Sequence, residues 1–402
     1  MHQIAETYVR LALAVGQHDS NYVDAYYGPS DWQAEAQAQP LPLPTILERC
    51  QSLLELINEA QTPSSDPIDH LRKQSLTKQI AAMTSRVEHL SGAHKTFDQE
   101  SAELYDAVDT GHGDEFYAEV LSNLEPVLGG SGDLARRYES FRSQFYVPKE
   151  KLETVFQTAI DAAREKTKQH VEMPLDENFR IEYVSEQVWG AYNWYKGQAH
   201  SLIQVNTDFP LSIERALHLA CHEGYPGHHV YNALLERDLA RGRNWIEFTI
   251  YPLFSPQSLI AEGTAEYGVD LSFPKQERLD FEKQILFPLA GLDSSRVEEY
   301  FYVLELIDKL GYSSNDAARR YLDGERSRSE TIDWLVTYSL STPKRAEQRV
   351  RFIEQNRSYV ITYNVGRDMV QSYIEKRGST LDERWKVFVD LLSTPRVASS
   401  LV

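Results

Sequence analysis

Apolar and polar positions repeat with a helical period along most of the 402-residue chain. In the first 170 residues the period is interrupted by breakers such as Thr62-Pro63-Ser64-Ser65 and Gly129-Gly130-Ser131-Gly132. The pattern changes after Pro174, so we predict an N-terminal helical lobe of residues 1–170 and a second lobe of residues 171–402. The helices predicted in the first lobe cover residues 3–16, 44–61, 67–92, 98–109, 114–127, 132–144 and 149–170.

The second lobe opens with the only strong strand signal of the chain. Alternating or β-branched residues predict strands at 180–184 and 201–206, with an aromatic segment from Trp189 to Tyr195 between them. The whole pattern therefore predicts a mainly α fold of the α+β type, in which a small sheet precedes a second group of helices. Those helices are predicted at residues 211–225, 228–239, 257–272, 276–290, 295–310, 314–323, 328–339, 343–377 and 381–392.

Candidate chemistry is concentrated at the end of the helix predicted at 211–225. Four of the twelve histidines of the chain, His218, His222, His228 and His229, lie within twelve residues and flank Glu223. Neutral imidazole is a favoured zinc ligand, and a glutamate beside the first ligand can polarise a water molecule. This segment therefore predicts a catalytic metal site.

The spacing of these histidines departs from that of the usual zinc-peptidase helix, in which two histidines lie four residues apart. The fourth residue after His222 is Pro226, and on an unbroken helix His229 would lie about 10 Å further along the axis. Pro226 cannot donate a backbone hydrogen bond, and Gly227 can adopt conformations closed to other residues. We therefore predict a break that returns His228 to the place of the usual second histidine.

A second segment supplies carboxylates. Glu262 and Glu266 share one face of the helix predicted at 257–272. In one branch of zinc peptidases a glutamate on the following helix is the third ligand, and a carboxylate four residues later orients a ligand histidine. The small residues Gly263 and Ala265 are expected to let this helix approach the metal-binding helix closely.

The motifs from His222 to His229 and from Glu262 to Tyr267 resemble those of the DUF885 proteins in the gluzincin metallopeptidase clan, which show HExxPGHH and EGxAxY patterns. A third segment, Tyr363-Asn364-Val365-Gly366, is similar to a tyrosine–glycine pairing near the C-terminus of that family. Thr264 stands where that family often has tryptophan. The resemblance implies a zincin-like fold of two helical lobes and metallopeptidase chemistry.

From the motifs and the resemblance we expect one Zn²⁺ per chain, bound by His222, His228 and Glu262. Glu223 would act as the general base that takes a proton from water and passes it to the leaving amine. Tyr363 would hydrogen-bond the developing oxyanion.

Other polar residues are expected to support the site or to contact the substrate. Glu266 would orient a ligand histidine, His229 would support the site or contact substrate, and Arg367 would hold a substrate carboxylate. The strand at 201–206 would pair with the substrate backbone, as in this clan. For Arg367 and Tyr363 the competing hypothesis is a coincidental position, and for the strand it is a purely structural sheet.

The choice of the second histidine ligand leaves alternatives open. His218 lies one turn before His222 and, like His229, competes with His228 as a ligand. The alternative for His218, which we favour, is a hydrogen-bonded core histidine.

Charge and cysteine content narrow the function classes. The net charge of -19 disfavours binding to nucleic acid or to anionic membranes. The two cysteines, Cys50 and Cys221, are too few for a disulfide framework, which favours a reducing compartment. Neither a signal peptide nor a transmembrane segment is evident, so we expect a cytoplasmic protein.

The sequence thus predicts a zinc-dependent peptidase that hydrolyses short peptides in a cleft between two helical lobes. One alternative is a zinc hydrolase of another amide or ester. The other is a non-catalytic helical peptide-binding protein with a structural metal, although structural zinc sites are usually rich in cysteine and Glu223 would then have no task. Oligomeric state and end preference are left open.

Overall fold

The computed structural model describes residues 1–61 and 66–402. Within these ranges the fold is mainly helical with little strand, as predicted, and it contains two small sheets where one was predicted. The loop predicted at Thr62-Pro63-Ser64-Ser65 lies outside the described residues. Helices of the first part of the chain are α1 (His2–Val15), α2 (Ser30–Ala38), α3 (Leu43–Glu59), α4 (Pro67–Leu90), α5 (Phe97–Tyr105), α6 (Asp114–Leu128), α7 (Leu134–Arg142) and α8 (Leu152–Lys168).

Helices of the second part surround the candidate site. They are α9 (Ile213–Leu219), α10 (His228–Leu235), α11 (Pro256–Ser272), α12 (Lys275–Phe281), α13 (Phe287–Ala290), α14 (Val297–Asp308), α15 (Ser313–Leu322), α16 (Arg328–Tyr338), α17 (Pro343–Asn356), α18 (Ile361–Arg377) and α19 (Leu381–Leu392). The helix predicted at 211–225 is α9 followed by a π-helical turn, Ala220–Gly224.

A three-stranded sheet contains β2 (Asn178–Val184), β3 (Ala191–Gly197) and β4 (His200–Asn206) in the order β2-β4-β3. β4 runs parallel to β2 and antiparallel to β3. The aromatic segment that was not predicted as a strand therefore forms β3, at the edge of the sheet. The expectation that the strand at 201–206 pairs with substrate is wrong, because both edges of β4 are already occupied by neighbouring strands.

A second sheet of two strands joins a segment near the N-terminus to a segment near residue 250. β1 (Val23–Tyr26) pairs antiparallel with β5 (Ile250–Pro252), so that Ala25 faces Tyr251. Two further contacts cross the predicted boundary at residue 170. The Arg72 Nε and Nη2 atoms donate to the Glu247 carboxylate at 2.6 and 3.0 Å in a buried ion pair. The division into two lobes stays a prediction.

Close packing of α11 against α18 depends on two glycines. A Cβ atom on Gly263 would lie 2.4 Å from the Gly366 carbonyl oxygen, so the two backbones touch at this point. Gly263 was expected to face the metal-binding helix. Instead that contact is made by Gly268, where an added Cβ would lie 3.0 Å from Pro226 Cγ.

The helix predicted at 343–377 is divided into α17 and α18 by a 3₁₀ turn, Arg357–Val360. Arg357 has a φ of 53°, in the left-handed region that is unfavourable for a residue with a side chain. The buried carboxylate of Glu100 holds this break, because it accepts hydrogen bonds from Arg357 Nε at 2.6 Å and from the Ser358 backbone N–H at 3.1 Å. This break sets the direction from which α18 reaches the candidate site.

Both cysteines, Cys50 and Cys221, are buried and free. Within residues 1–61 and 66–402 we find no helix with the length and apolar character needed to cross a membrane. The cytoplasmic location stays a prediction.

Candidate metal centre

The chain turns back on itself between His222 and His228. After the π-helical turn, the Gly227 backbone N–H donates to the Cys221 carbonyl oxygen at 2.9 Å, and α10 begins at the next residue. A Cβ atom on Gly227 would lie 1.8 Å from the His222 carbonyl oxygen, so only glycine fits here. The predicted break is therefore present, and it places the two imidazole rings side by side.

Three potential ligand atoms converge at this point. His222 Nε2 lies 3.1 Å from His228 Nε2 and 3.3 Å from Glu262 Oε2, and His228 Nε2 lies 3.5 Å from the same Glu262 oxygen. In a tetrahedral zinc site with bonds of about 2.0–2.1 Å, neighbouring ligand atoms lie roughly 3.3–3.4 Å apart. The triangle formed by these atoms therefore has the dimensions of three zinc ligands.

The chemistry of this donor set also fits a metal ion. His222 and Glu262 are buried, and a single proton can bridge only one of the three pairs of atoms. The Tyr359 hydroxyl donates to Glu262 Oε1 at 2.5 Å, which turns the other carboxylate oxygen towards the two imidazoles. Although burial by itself would raise the pKa of Glu262, the two histidines lower it to about 2, so the group is a carboxylate.

A chain of polar contacts orients His222 from behind. Its Nδ1 atom lies 3.3 Å from Glu266 Oε1, and the other oxygen of Glu266 accepts from His218 Nε2 at 2.9 Å. Arg215 Nη1 donates to His218 Nδ1 at 3.1 Å, which fixes the proton of this ring on Nε2. Burial lowers the pKa of His218 to about 4, so the ring is neutral.

These contacts bear on the choice of ligand. His218, His222 and Glu266 form a second group with ligand atoms within 4.8 Å of one another, like the group of His222, His228 and Glu262. However, both nitrogens of His218 are already engaged by Glu266 and Arg215. We therefore prefer His228, whose Nε2 faces the other two ligand atoms.

His229 lies away from this triangle. Its ring is fully buried, with Nδ1 2.8 Å from Ser201 Oγ and Nε2 3.2 Å from Glu177 Oε2. The Tyr225 hydroxyl donates to the same Glu177 oxygen at 2.5 Å. This network fixes both sides of the Pro226–Gly227 turn, and the ring of His229 is not exposed to the cavity.

Glu223 lines the cavity next to the triangle. Within the described residues its carboxylate has no hydrogen-bond partner, while its backbone oxygen accepts from Asn193 Nδ2 at 2.7 Å. Burial raises the pKa of Glu223. A buried carboxylate with a raised pKa is a stronger proton acceptor than one in water.

Two tyrosines from the far side complete the centre. The ring of Tyr363 is stacked 6.5 Å from that of His222, and it lines the same cavity. Tyr359, which the sequence analysis did not single out, lies one helical turn earlier, and this spacing relative to Tyr363 was the available signal. Arg367 also lines the cavity, but its Nη1 atom forms an ion pair with Asp308 at 3.1 Å.

The cavity has a volume of about 650 Å³ and is formed by both parts of the chain. Asp24 of β1 contributes from the first part and accepts a hydrogen bond from Tyr192 of β3. Burial raises the pKa of Asp24 to about 6. Trp189, Tyr192 and Trp194 give this wall an aromatic surface.

Comparison with known proteins identifies the fold alone. No family model and no curated protein matches the chain, so the resemblance to DUF885 proteins remains a prediction from the motifs. Among solved structures, "the putative lipoprotein from Colwellia psychrerythraea" is similar, with 16% identity and a TM-score of 0.54 over 92% of this chain and 70% of that chain.

The BsuCP crystal structure is also similar, with 12% identity and a TM-score of 0.50 over 98% of this chain and 88% of that chain. An M32 carboxypeptidase from Deinococcus radiodurans R1 matches at 13% identity over 96% of this chain and 87% of that chain, with a TM-score of 0.46. That last score is too low to establish a common fold. At these identities no likeness carries over an activity.

Proposed function

We propose that this chain is a zinc-dependent peptidase that hydrolyses short peptides. The observation that carries the proposal is the triangle of His222, His228 and Glu262, with distances of 3.1–3.5 Å between ligand atoms beside the free carboxylate of Glu223. Three protein ligands leave one position open, which is typical of catalytic rather than structural zinc.

Zn²⁺ bound at this place would polarise a peptide carbonyl and lower the pKa of a water molecule. Glu223 would accept the proton of the attacking water and deliver it to the leaving nitrogen, since its carboxylate is free and its pKa is raised by burial. Glu266 and Tyr359 would hold His222 and Glu262 in place. Tyr363 would donate to the oxygen that becomes negative in the transition state.

The edge strand β3 would align the substrate. Residues of β3, including Ala191 and Asn193, line the cavity, and among the described residues one edge of this strand has no hydrogen-bonded neighbour in the sheet. An extended peptide would add to that edge through backbone hydrogen bonds. A cavity of about 650 Å³ has room for a short peptide segment and favours short peptides over folded proteins.

Metal content and one isosteric substitution test the proposal. We expect about one zinc per chain in purified protein by mass spectrometry, and its loss in His228→Ala and Glu262→Ala. Glu223→Gln should retain the metal and lose at least about 1,000-fold in kcat on a short-peptide library, since the general base is removed. Glu347→Gln, an exposed change of the same type on α17, serves as the matched control.

Each outcome decides between the alternatives. Absence of zinc in the wild type, even after zinc is added, would exclude the metallopeptidase. Zinc without hydrolysis of peptides but with Glu223-dependent hydrolysis of esters or other amides would favour a different zinc hydrolase. Zinc with no Glu223-dependent turnover of any kind would favour a structural metal.

A further inference from the structure

Five arginines line the cavity, but their charges are compensated to different degrees. Arg367 is paired with Asp308, and Arg142 lies 3.9 Å from Glu214. Among the described residues, Arg215, Arg345 and Arg349 have no carboxylate within ion-pair distance. Arg215 already donates to the neutral ring of His218, which leaves Arg345 and Arg349 as the candidates to bind a ligand.

Arg349 is the clearer of these two cations. Its Nε atom donates to Ser314 Oγ at 2.6 Å, and its guanidinium lies 4.8 Å from the centre of the Phe352 ring. Its two Nη groups have no hydrogen-bond partner among residues 1–61 and 66–402. Burial lowers the pKa of Arg349, which is the expected cost of a cation without a counter-charge.

Arg345 lies one helical turn earlier on the same face of α17. Its guanidinium is 4.4 Å from the centre of the Phe209 ring, and Nη2 lies at 3.5 Å from the Pro210 carbonyl oxygen. Burial and the neighbouring Arg142 both lower the pKa of Arg345. The two arginines therefore form a half-buried positive wall in a chain whose net charge is -19.

This wall is connected to the metal centre by aromatic contacts. Phe352, on which Arg349 lies, has its ring 6.4 Å from that of Tyr363, and Tyr363 in turn is 6.5 Å from the His222 ring. All three residues beyond Arg349 belong to the same cavity. A ligand held by Arg349 would therefore extend along Tyr363 towards the proposed zinc.

We propose that Arg349, assisted by Arg345, forms a subsite that binds a carboxylate of the peptide substrate. Guanidinium groups present paired N–H donors that match the geometry of a carboxylate, and half-buried cations without a counter-charge gain most from such a ligand. The carboxylate is supplied by the C-terminus of the peptide or by an acidic side chain. This inference rests on the proposed peptidase function.

Three matched peptides distinguish the two sources of the carboxylate. They are trialanine as the free acid, trialanine as the C-terminal amide, and Ala-Ala-Glu as the C-terminal amide. A preference for the first identifies the C-terminus, and a preference for the third identifies a side chain. For the preferred peptide we expect kcat/KM to fall by roughly 10–100-fold in Arg349→Gln, mainly through KM, while hydrolysis of the neutral amide changes by less than about twofold.

Two further variants separate charge from geometry and from stability. Arg349→Lys retains the positive charge but not the paired N–H donors of the guanidinium, so it should recover only part of the kcat/KM that Arg349→Gln loses. Arg351→Gln removes an exposed positive charge from the same helix, and it should leave the hydrolysis of all three peptides unchanged. Zinc content and melting temperature should match those of the wild type in each variant.

Binding to protein carrying Glu223→Gln, measured by calorimetry with the same peptides, separates this inference from the proposed function. A carboxylate preference in binding that disappears with Arg349→Gln, without any turnover in the wild type, would support the subsite and overturn the peptidase. Equal hydrolysis of the acid and both amides, or a preference that survives Arg349→Gln, would overturn the subsite and leave the peptidase intact.

Discussion

Two tyrosines one helical turn apart contact the candidate metal centre in different ways. Tyr359 donates its hydroxyl to Glu262 Oε1, whereas Tyr363 lines the cavity beside His222. Tyr359 therefore contacts a proposed metal ligand, whereas Tyr363 borders the space in which substrate would react. Removal of each hydroxyl should therefore affect a different measurement.

We expect Tyr359→Phe to weaken zinc binding by roughly 10–100-fold, because the Glu262 carboxylate loses the donor that orients it. Tyr363→Phe should retain zinc affinity and lower kcat by about 10–100-fold, because only the transition state loses a donor. Competition with a chelator and steady-state kinetics measure the two effects. Equal zinc affinities in both variants would contradict the role given to Tyr359.

The contribution of Glu177 to the stability of the fold should depend on pH. Burial alone would raise its pKa, but hydrogen bonds from His229, Tyr225 and Arg164 lower it to about 2. The pKa of a glutamate in the unfolded chain is about 4.3. Because folding lowers this pKa, the Glu177 carboxylate stabilises the fold at pH values above about 4.3, and this contribution is lost as the pH falls towards 2.

Wild type should therefore exceed Glu177→Gln in free energy of unfolding by up to about 3 kcal/mol at pH 7, and the difference should narrow between pH 5 and pH 2. Denaturant unfolding of both proteins at pH 7, 4 and 3 provides the measurement. A difference that does not vary with pH would show that folding leaves the pKa of Glu177 unchanged.

The sequence placed the ligand candidates because their signal is local. His222, Glu223 and His228 occur in one short motif, and Glu262 and Glu266 share a helix face, so spacing and residue type were sufficient. Arg349 carried no such signal, and the only signal for Tyr359 was its spacing of four residues from Tyr363. Their importance comes from contacts with Glu262 and from the lack of a counter-charge, and both depend on how distant helices pack.

At the scale of elements, the turn between α9 and α10 decides whether the centre forms. Gly227→Ala would place a Cβ 1.8 Å from the His222 carbonyl oxygen, so the backbone must move. We expect a loss of about 3 kcal/mol or more in the free energy of unfolding, together with weaker zinc binding.

Gly113→Ala is the control, because a Cβ there meets nothing within 4 Å, and it should change stability by about 1 kcal/mol or less. Thermal unfolding and zinc titration of both variants would measure these effects. Wild-type zinc affinity in Gly227→Ala would show that this turn does not position His228.

The elements that could not be predicted from the sequence lack a local signal. α2 buries none of its residues, so it leaves no apolar period to detect. β1 and β5 are short and find each other only across more than two hundred residues of chain. The break between α17 and α18 contains neither glycine nor proline, and it depends on Glu100, which lies far away in sequence.

At the scale of the whole molecule, the first 170 residues contribute structure that the candidate site needs. β1 is the partner of β5, Arg72 neutralises Glu247, and Glu100 holds the break that precedes Tyr359. Asp24 belongs to the wall of the cavity itself. The candidate metal centre is thus formed by residues of the second part and supported by the first.

We therefore expect residues 171–402 expressed alone to unfold without a cooperative transition and to bind less than one zinc per chain. Co-expression with residues 1–170 should restore both properties if the two parts associate. Circular dichroism during heating and metal analysis are the measurements. A fragment that melts cooperatively and retains one zinc would establish the second lobe as an independent domain.

The doubled-back turn at Gly227 has a consequence for how such centres are searched for in genomes. The two imidazoles proposed to bind the metal are separated by six positions rather than four, and the extra length is absorbed by one π-helical turn and a glycine. A sequence pattern that requires the two histidines to lie four residues apart on an ideal helix would not match this chain. Allowing a proline and glycine between the paired histidines, and then requiring a downstream glutamate, would retain it.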